Sequence, residues 1–235
     1  MTLHMGSIAS VVAVAAALVS VSAMAAPVNI LSPSDSPNIV GIHVDAPAGV
    51  ATLTADSIVG SQGLGWWQWT LPGPSAVSDG NVGTKYLNYG QGDSAGKTAT
   101  KGVGTGFYVT PLVGPTVVTG FMMATANDTD PRDPLTIALQ GSNSTGTDLL
   151  TGANWTPIYS GITGLTLARS TWGPEQDFAN SSSFTSYRLI VTSQRASANA
   201  AAYSEVQLIS VPEPASLGFL GLMSVGLLIQ RRRKA

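Results

Sequence analysis

Asp79-Gly80-Asn81-Val82-Gly83-Thr84 brings a carboxylate, an amide, backbone carbonyls and a hydroxyl into one turn that two glycines allow to close tightly. Hard oxygens at this spacing are what Ca2+ accepts, so Asp79, Asn81 and Thr84 are candidate metal ligands. The same residues also make an ordinary Asp-Gly turn with no ion in it. A second concentration of polar chemistry is the loop Asn127-Asp128-Thr129-Asp130-Pro131-Arg132-Asp133, where three carboxylates stand beside one guanidinium. Paired carboxylates can serve a glycosidase, but these share one short loop, an arrangement suited to an internal ion pair of Arg132 with Asp130 or Asp133. Trp66, Trp67 and Trp69 lie in a Gly-rich segment, and Trp172 lies in the stretch 170–176. On a strand Trp66 and Trp67 point to opposite faces, so one of them packs inward, while Trp69 shares the side of Trp67.

A catalytic set is hard to assemble from the rest. The chain has no cysteine, no Gly-x-Ser-x-Gly elbow and, beyond the N-terminal segment, only His43 as an imidazole. Triad chemistry therefore lacks its usual base and nucleophile setting. Gly102-Val103-Gly104-Thr105-Gly106 has the composition of a phosphate loop, but it precedes a strand-like run where a dinucleotide fingerprint would follow a strand and open a helix, so it reads as a flexible loop.

The elements that must position these residues are strands. Charged residues are only 10% of the 235, glycine (26) and proline (14) interrupt the chain often, and helical periodicity is missing outside the two ends. Residues 117–124 form an apolar run suited to a central strand. Leu135, Ile137 and Leu139 alternate with Thr136, Ala138 and Gln140, which predicts one buried face, and Tyr187, Leu189 and Val191 alternate in the same way with Arg188, Ile190 and Thr192. Turn clusters such as Gly141-Ser142-Asn143-Ser144-Thr145-Gly146 separate these runs at the spacing of an all-β sandwich or jelly roll.

Both ends read as addresses. Residues 8–21 are apolar and small, and Ala23-Met24-Ala25 is the small-x-small pattern of a signal-peptidase site, so residues 1–25 are expected to be a signal helix and the mature chain to begin at Ala26. At the other end Pro212-Glu213-Pro214 precedes an apolar run of about 16 residues, short for a membrane-spanning helix, and then Arg231-Arg232-Arg233-Lys234. Residues 26–211 carry seven Lys and Arg against twelve Asp and Glu, a net charge of −5, which argues against a nucleic-acid surface. The absence of cysteine leaves the core, with a metal if one binds, to hold an exported fold.

The tripartite C-terminus resembles the PEP-CTERM sorting signal of Gram-negative bacteria. That resemblance implies an exosortase acting near Pro212, Glu213 and Pro214, a short C-terminal transmembrane helix held by Arg231, Arg232 and Arg233, transient residence in the inner membrane, and a final place at the cell surface or in the extracellular matrix. Between the signals, Asp79-Gly80-Asn81 with Thr84-Lys85-Tyr86 opens a second resemblance. Arg132-Asp133-Pro134, Gln140-Gly141-Ser142-Asn143, Asn154-Trp155-Thr156-Pro157-Ile158, residues 184–191 and Ser204-Glu205-Val206-Gln207-Leu208 continue it. In order and spacing these segments resemble the discoidin, or F5/8 type C, domain of the galactose-binding-like jelly rolls. The family's bracketing cysteines are missing and the turn after Asn143 is longer, so the bacterial branch is the better comparison.

The resemblance implies a jelly-roll β-sandwich over residues 56–211, preceded by a lead-in strand or arm at 26–55 and followed by the sorting signal at 212–235. It implies a structural Ca2+ where the Asp-Gly-Asn turn meets a glutamate at the start of the last strand, which adds Glu205 to Asp79, Asn81 and Thr84. It also implies carbohydrate binding through end loops, with Trp67, Trp69 or Trp172 stacking on a sugar and Asp130 or Arg132 bonding its hydroxyls. The function expected is an exported, non-catalytic module that binds polysaccharide in the envelope or matrix. A structural matrix protein without a small ligand is the alternative, and a glycan-active enzyme comes third.

Overall fold

The runs richest in β-branched and aromatic residues become strands, joined by Gly- and Pro-containing turns. In the computed structural model the described residues are 26–44, 51–53, 73–90 and 102–210, all within the unit Ala25–Pro212. The strands are β1 (Val28–Asn29), β2 (Ile39–Val44), β3 (Ala51–Leu53), β4 (Tyr86–Asn88), β5 (Thr105–Val109) and β6 (Val118–Met123), then β7 (Pro134–Ser142), β8 (Thr156–Ile162), β9 (Gln176–Asp177), β10 (Ser186–Gln194), β11 (Ala201–Tyr203) and β12 (Val206–Ser210). They form a four-stranded sheet, β1-β12-β6-β9, a six-stranded sheet, β3-β2-β5-β10-β7-β8, and the ribbon β11-β4. Every pairing is antiparallel. Among the described residues helical structure is confined to short 3-10 turns, and no helix is long and apolar enough to cross a membrane. The expected signal and C-terminal helices lie outside the described residues.

One core joins the two large sheets. Val118, Phe121, Met123, Val206 and Leu208 from the smaller sheet meet Phe107, Val109, Ile137, Leu139, Tyr187, Leu189 and Val191 from the larger. This is the packing of an all-β sandwich. Phe121 lies edge-on to Tyr159 at 5.3 Å, and Tyr86 lies edge-on to Tyr203 at 5.3 Å. The stretch 26–53 contributes strands to both sheets: β1 pairs with β12, and β2 lies between β3 and β5.

Alternation described the inner face of the larger sheet correctly and its outer face incompletely. Arg188 and Ile190, which alternate with the core residues of β10, are also buried, at 0% and 1% exposure. The cause is a second layer. The 3-10 turns Gly146–Leu150 and Gly152–Asn154 lead to the buried Trp155, whose ring lies 4.8 Å from the Arg188 guanidinium and whose Nε1–H donates to Leu149 O. Arg188 Nε also donates to Gln140 Oε1, and burial lowers the Arg188 pKa to about 10. Leu135, by contrast, is 42% exposed at the start of β7, where the inward alternation begins only with Ile137.

The segment Gly102-Val103-Gly104-Thr105-Gly106 is not a flexible loop but a mostly buried turn into β5. A Cβ on Gly106 would stand 1.8 Å from Leu189 O. Gly104 has φ +83°, and a Cβ there would stand 2.3 Å from Val44 O. Its glycines serve close backbone approach inside the larger sheet, not a phosphate.

Candidate functional site

Asp79, Asn81, Thr84 and Glu205 come together, although Glu205 is 124 residues from Asn81 in the chain. The turn is self-organised. Gly80 takes φ +80°, Asn81 N–H donates to Asp79 Oδ1 at 2.8 Å, and Gly83 N–H donates to Asn81 Oδ1 at 2.9 Å. The Thr84 hydroxyl lies 2.8 Å from Asp79 Oδ2 and 2.7 Å from Asn81 O. Glu205 reaches this turn from the approach to β12, where Ala124 faces two residues: Ala124 N–H donates to Glu205 O and Ser204 N–H donates to Ala124 O, both at 2.9 Å. Two residues opposite one is the pattern of a β-bulge, which turns a side chain out of strict alternation.

The Asn81 N–H also donates to Glu205 Oε1 at 3.0 Å, so a single backbone donor serves both carboxylates. Glu205 is 3% exposed. Burial and the neighbouring Asp79 carboxyl push it up to about 7, against the partial relief given by the Asn81 and Gly80 N–H groups. Two carboxyl groups are thus held together without a cation between them among the described side chains. No three His, Cys, Asp or Glu side chains cluster among the described residues, so carbonyl and hydroxyl oxygens would have to complete a metal shell here. Asn81 O and Thr84 Oγ1 are such oxygens, and an all-oxygen set suits Ca2+.

The second concentration of function-bearing side chains lies where the β6–β7, β8–β9 and β10–β11 connections meet. Arg132 is on the 3-10 turn Asp130–Arg132. It does not pair with Asp130 or Asp133, as its sequence neighbours led us to expect. Arg132 Nη1 donates to Asp128 Oδ2 at 2.5 Å, and its Nε and Nη2 reach Asn199 Oδ1 at 3.2 and 3.0 Å. Lys85 Nζ shares the same Asp128 oxygen at 2.8 Å. Burial pushes the Asp128 carboxyl up, but Lys85, the Thr129 N–H and Arg132 together outweigh it and hold Asp128 below the usual carboxylate range.

Asp133 belongs to other partners. Arg169 grips it with two nitrogens, at 2.8 and 2.6 Å, and Arg195 Nε lies 3.4 Å from Oδ2. The Asp133 side chain is 1% exposed, whereas those of Arg169 and Arg195 are 27% and 23% exposed. Arg169 joins the two groups, since its Nη1 also reaches Asp128 O at 3.4 Å. Asp130 is exposed on the same loop. Lys85, Arg169, Arg195 and Asn199 were not among the candidate site residues of the sequence, and Asp128 stood there only as one carboxylate of the loop 127–133. Their partners are 36 to 67 residues away in most of these bonds, and nothing local marks them.

Trp172 is half-buried and forms an isolated antiparallel bridge with Ala124. Its segment runs beside the end of β6: Gly173 N–H donates to Met123 O at 2.8 Å, Thr125 N–H to Thr171 O at 3.0 Å, and Ser170 N–H to Ala126 O at 3.3 Å. Ser170, between Arg169 and these bonds, has φ +49°, the one left-handed non-glycine among the described residues. Such a conformation persists where neighbouring contacts over-determine it. Bridge partners share a face, so Trp172, Ala124 and, across the bulge, Glu205 follow one another over adjacent strands. Trp67 and Trp69 lie outside the described residues, as do Pro212, Glu213, Pro214, Arg231, Arg232 and Arg233.

Fold and site together define an all-β sandwich domain with a carboxylate-bearing turn and a charged loop end. No family model matches the chain, and no curated protein matches it. Among solved structures it is similar to CpGH89CBM32-5 from Clostridium perfringens, solved with GalNAc-β-1,3-galactose, at 12% identity and a TM-score of 0.45 over 75% of this chain and 98% of that one. It is also similar to the family 32 CBM of C. perfringens NanJ, solved with galactose, at 8% identity and 0.45 over 79% and 100%. A third is CBM32-3 from a family 31 glycoside hydrolase of C. perfringens, at 12% identity and 0.46 over 75% and 93%.

Proposed function

We propose that the chain is an exported, non-catalytic carbohydrate-binding module of a bacterial envelope or extracellular polysaccharide matrix, with Trp172, Arg132 and Asp130 in the binding loops. The observation that carries this reading is the loop end. Fixed guanidinium, carboxylate and amide groups converge there on three connections, with a half-buried tryptophan three residues from Arg169 along the same segment. Saccharide sites combine such directional polar groups with an aromatic face. Export follows from the two terminal segments, with signal peptidase and an exosortase as processing partners.

We further propose that Asp79, Asn81, Thr84 and Glu205 hold a structural Ca2+. The ion would neutralise the two carboxyl groups and tie the early turn to the last strand. It supplies charge compensation and cross-linking, and no chemical step is assigned to it.

The function is tested by titrating the full-length protein with bacterial exopolysaccharide while following tryptophan fluorescence, and repeating with Trp172→Ala and Arg132→Ala. A saturable change that weakens in both variants is expected, at micromolar to millimolar strength for a single shallow site. No saturable change with neutral or acidic polysaccharides would favour the structural matrix protein instead.

A further inference from the structure

Charge is unevenly placed in this domain. Residues 26–211 carry a net −5, yet four of the five described cations, Lys85, Arg132, Arg169 and Arg195, sit at the one loop end. They are arranged in pairs, each pair on one carboxylate: Lys85 and Arg132 on Asp128, Arg169 and Arg195 on Asp133. With exposed Asp130 counted, four positive charges face three negative ones. The surplus is local, and the rest of the domain is correspondingly more acidic.

Burial sharpens the asymmetry. Asp133 is almost wholly covered, whereas the four cationic side chains keep 19–27% of their surface open. The covered carboxylate holds Arg169 and Arg195 in place, while Lys85 Nζ and the Nη1 and Nη2 of Arg132, each with one bond to Asp128 or Asn199, keep further N–H donors. Donors fixed in advance lose little side-chain entropy on binding, and a planar guanidinium matches a carboxylate with two parallel bonds.

We propose that this end recognises an acidic polysaccharide through its sugar carboxylates, so that the ligand class is a uronate-bearing glycan. The inference rests on the carbohydrate-binding reading above and narrows it. Lys85 and Arg132, joined through Asp128, contact one carboxylate, and Arg169, whose N–H groups are taken up by Asp133 and backbone carbonyls, adds its charge beside them. A neutral sugar would leave the surplus charge uncompensated and gain only hydroxyl contacts.

The test compares binding of the full-length protein to polygalacturonate, to the same polymer with its carboxyl groups reduced to alcohols, to dextran sulfate and to neutral dextran. All are measured with calcium-loaded protein freed of excess divalent ions by desalting, so that free ions do not bridge polymer and protein. Polygalacturonate is expected to bind at least about tenfold more tightly than its reduced form, because charge-assisted bonds are roughly twice as strong as neutral ones. Added salt should weaken that binding. Lys85→Gln should lose about three- to tenfold on polygalacturonate with little change on neutral polymers, whereas Arg132→Gln should weaken both, at melting temperatures that show the variants are folded. Equal binding of polygalacturonate and its reduced form would overturn this inference and leave the carbohydrate-binding reading standing. Equal or tighter binding of dextran sulfate would overturn it as general anion exchange. Failure to bind these polymers and neutral exopolysaccharide alike would overturn both readings.

Discussion

Replacing Glu205 with glutamine separates the two roles that the carboxylate turn can play. Without metal, Glu205 sits beside Asp79 with its pKa raised to about 7. A carboxyl whose folded pKa exceeds its unfolded one is favoured protonated in the native state. Its contribution to stability is therefore greatest below the unfolded value near 4.5 and is lost as pH rises through 7. At about 1.36 kcal/mol for each pH unit between the two values, the upper bound is on the order of 3 kcal/mol, and water reaching the exposed turn lowers the expected figure to about 1.5–3 kcal/mol. Glutamine keeps an oxygen for the Asn81 N–H and removes the charge. In EDTA, thermal unfolding should show the wild type losing stability between pH 4.5 and 7 relative to Glu205→Gln. At pH 8 the variant should melt about 3–12 °C higher, and at pH 4 the two should nearly coincide. Calcium at pH 8 should reverse the order. Ion at about a hundred times its dissociation constant adds about 2.7 kcal/mol to the wild type, while the variant, one ligand charge short, gains less. The reasoning is refuted if the variant is the less stable protein in EDTA at pH 8 and the wild type shows no loss relative to it between pH 4.5 and 7.

Three further outcomes can be checked independently. Asp133→Asn should cost about 3–5 kcal/mol in chemical denaturation, because it leaves Arg169 and Arg195 facing a buried neutral group; a loss below 1 kcal/mol would mean the carboxylate organises nothing. Gly106→Ala should prevent stable folding or cost at least about 3 kcal/mol, since its Cβ would enter the Leu189 carbonyl, and an unchanged midpoint would contradict the sheet register there. Mass spectrometry of the protein from its native host should find it trimmed near Ala25 and near Pro212-Glu213-Pro214; surface-located protein that retains residues 231–234 would remove the sorting interpretation.

The turn at Asp79 was legible because its determinants are local: an aspartate, a glycine that accepts positive φ, and an asparagine whose amide caps the next bonds. The meeting of that turn with Glu205 was legible only through resemblance to a family, since spacing alone does not bring residues 79 and 205 together. Arg169 and Arg195 stood among neutral neighbours in the chain, and only the convergence of three connections gives them Asp133 as a shared partner. Alternation found the inner faces of β7 and β10 because burial between two sheets imposes a period of two. It could not reveal that Trp155 covers Arg188, because that cover arrives from a segment with no strand period of its own. The glycines at 102, 104 and 106 read as a flexible loop, because composition does not show the Ala201 backbone and the Val44 and Leu189 carbonyls that approach them.

The pairing of β1 with β12 decides how this domain can be held. Val28 lies opposite Ser210, at the end of β12 farthest from Val206, Glu205 and the charged loops. The chain therefore enters and leaves the sandwich side by side at one pole, and the charged loops gather at the other. β10, nine residues long, runs from pole to pole, about 30 Å at ~3.3 Å per residue. A tether at either terminus grips the same pole. Whichever terminus carries an attachment, it leaves the domain at the pole opposite the charged loops, so changing the tethered terminus would leave those loops at the far end.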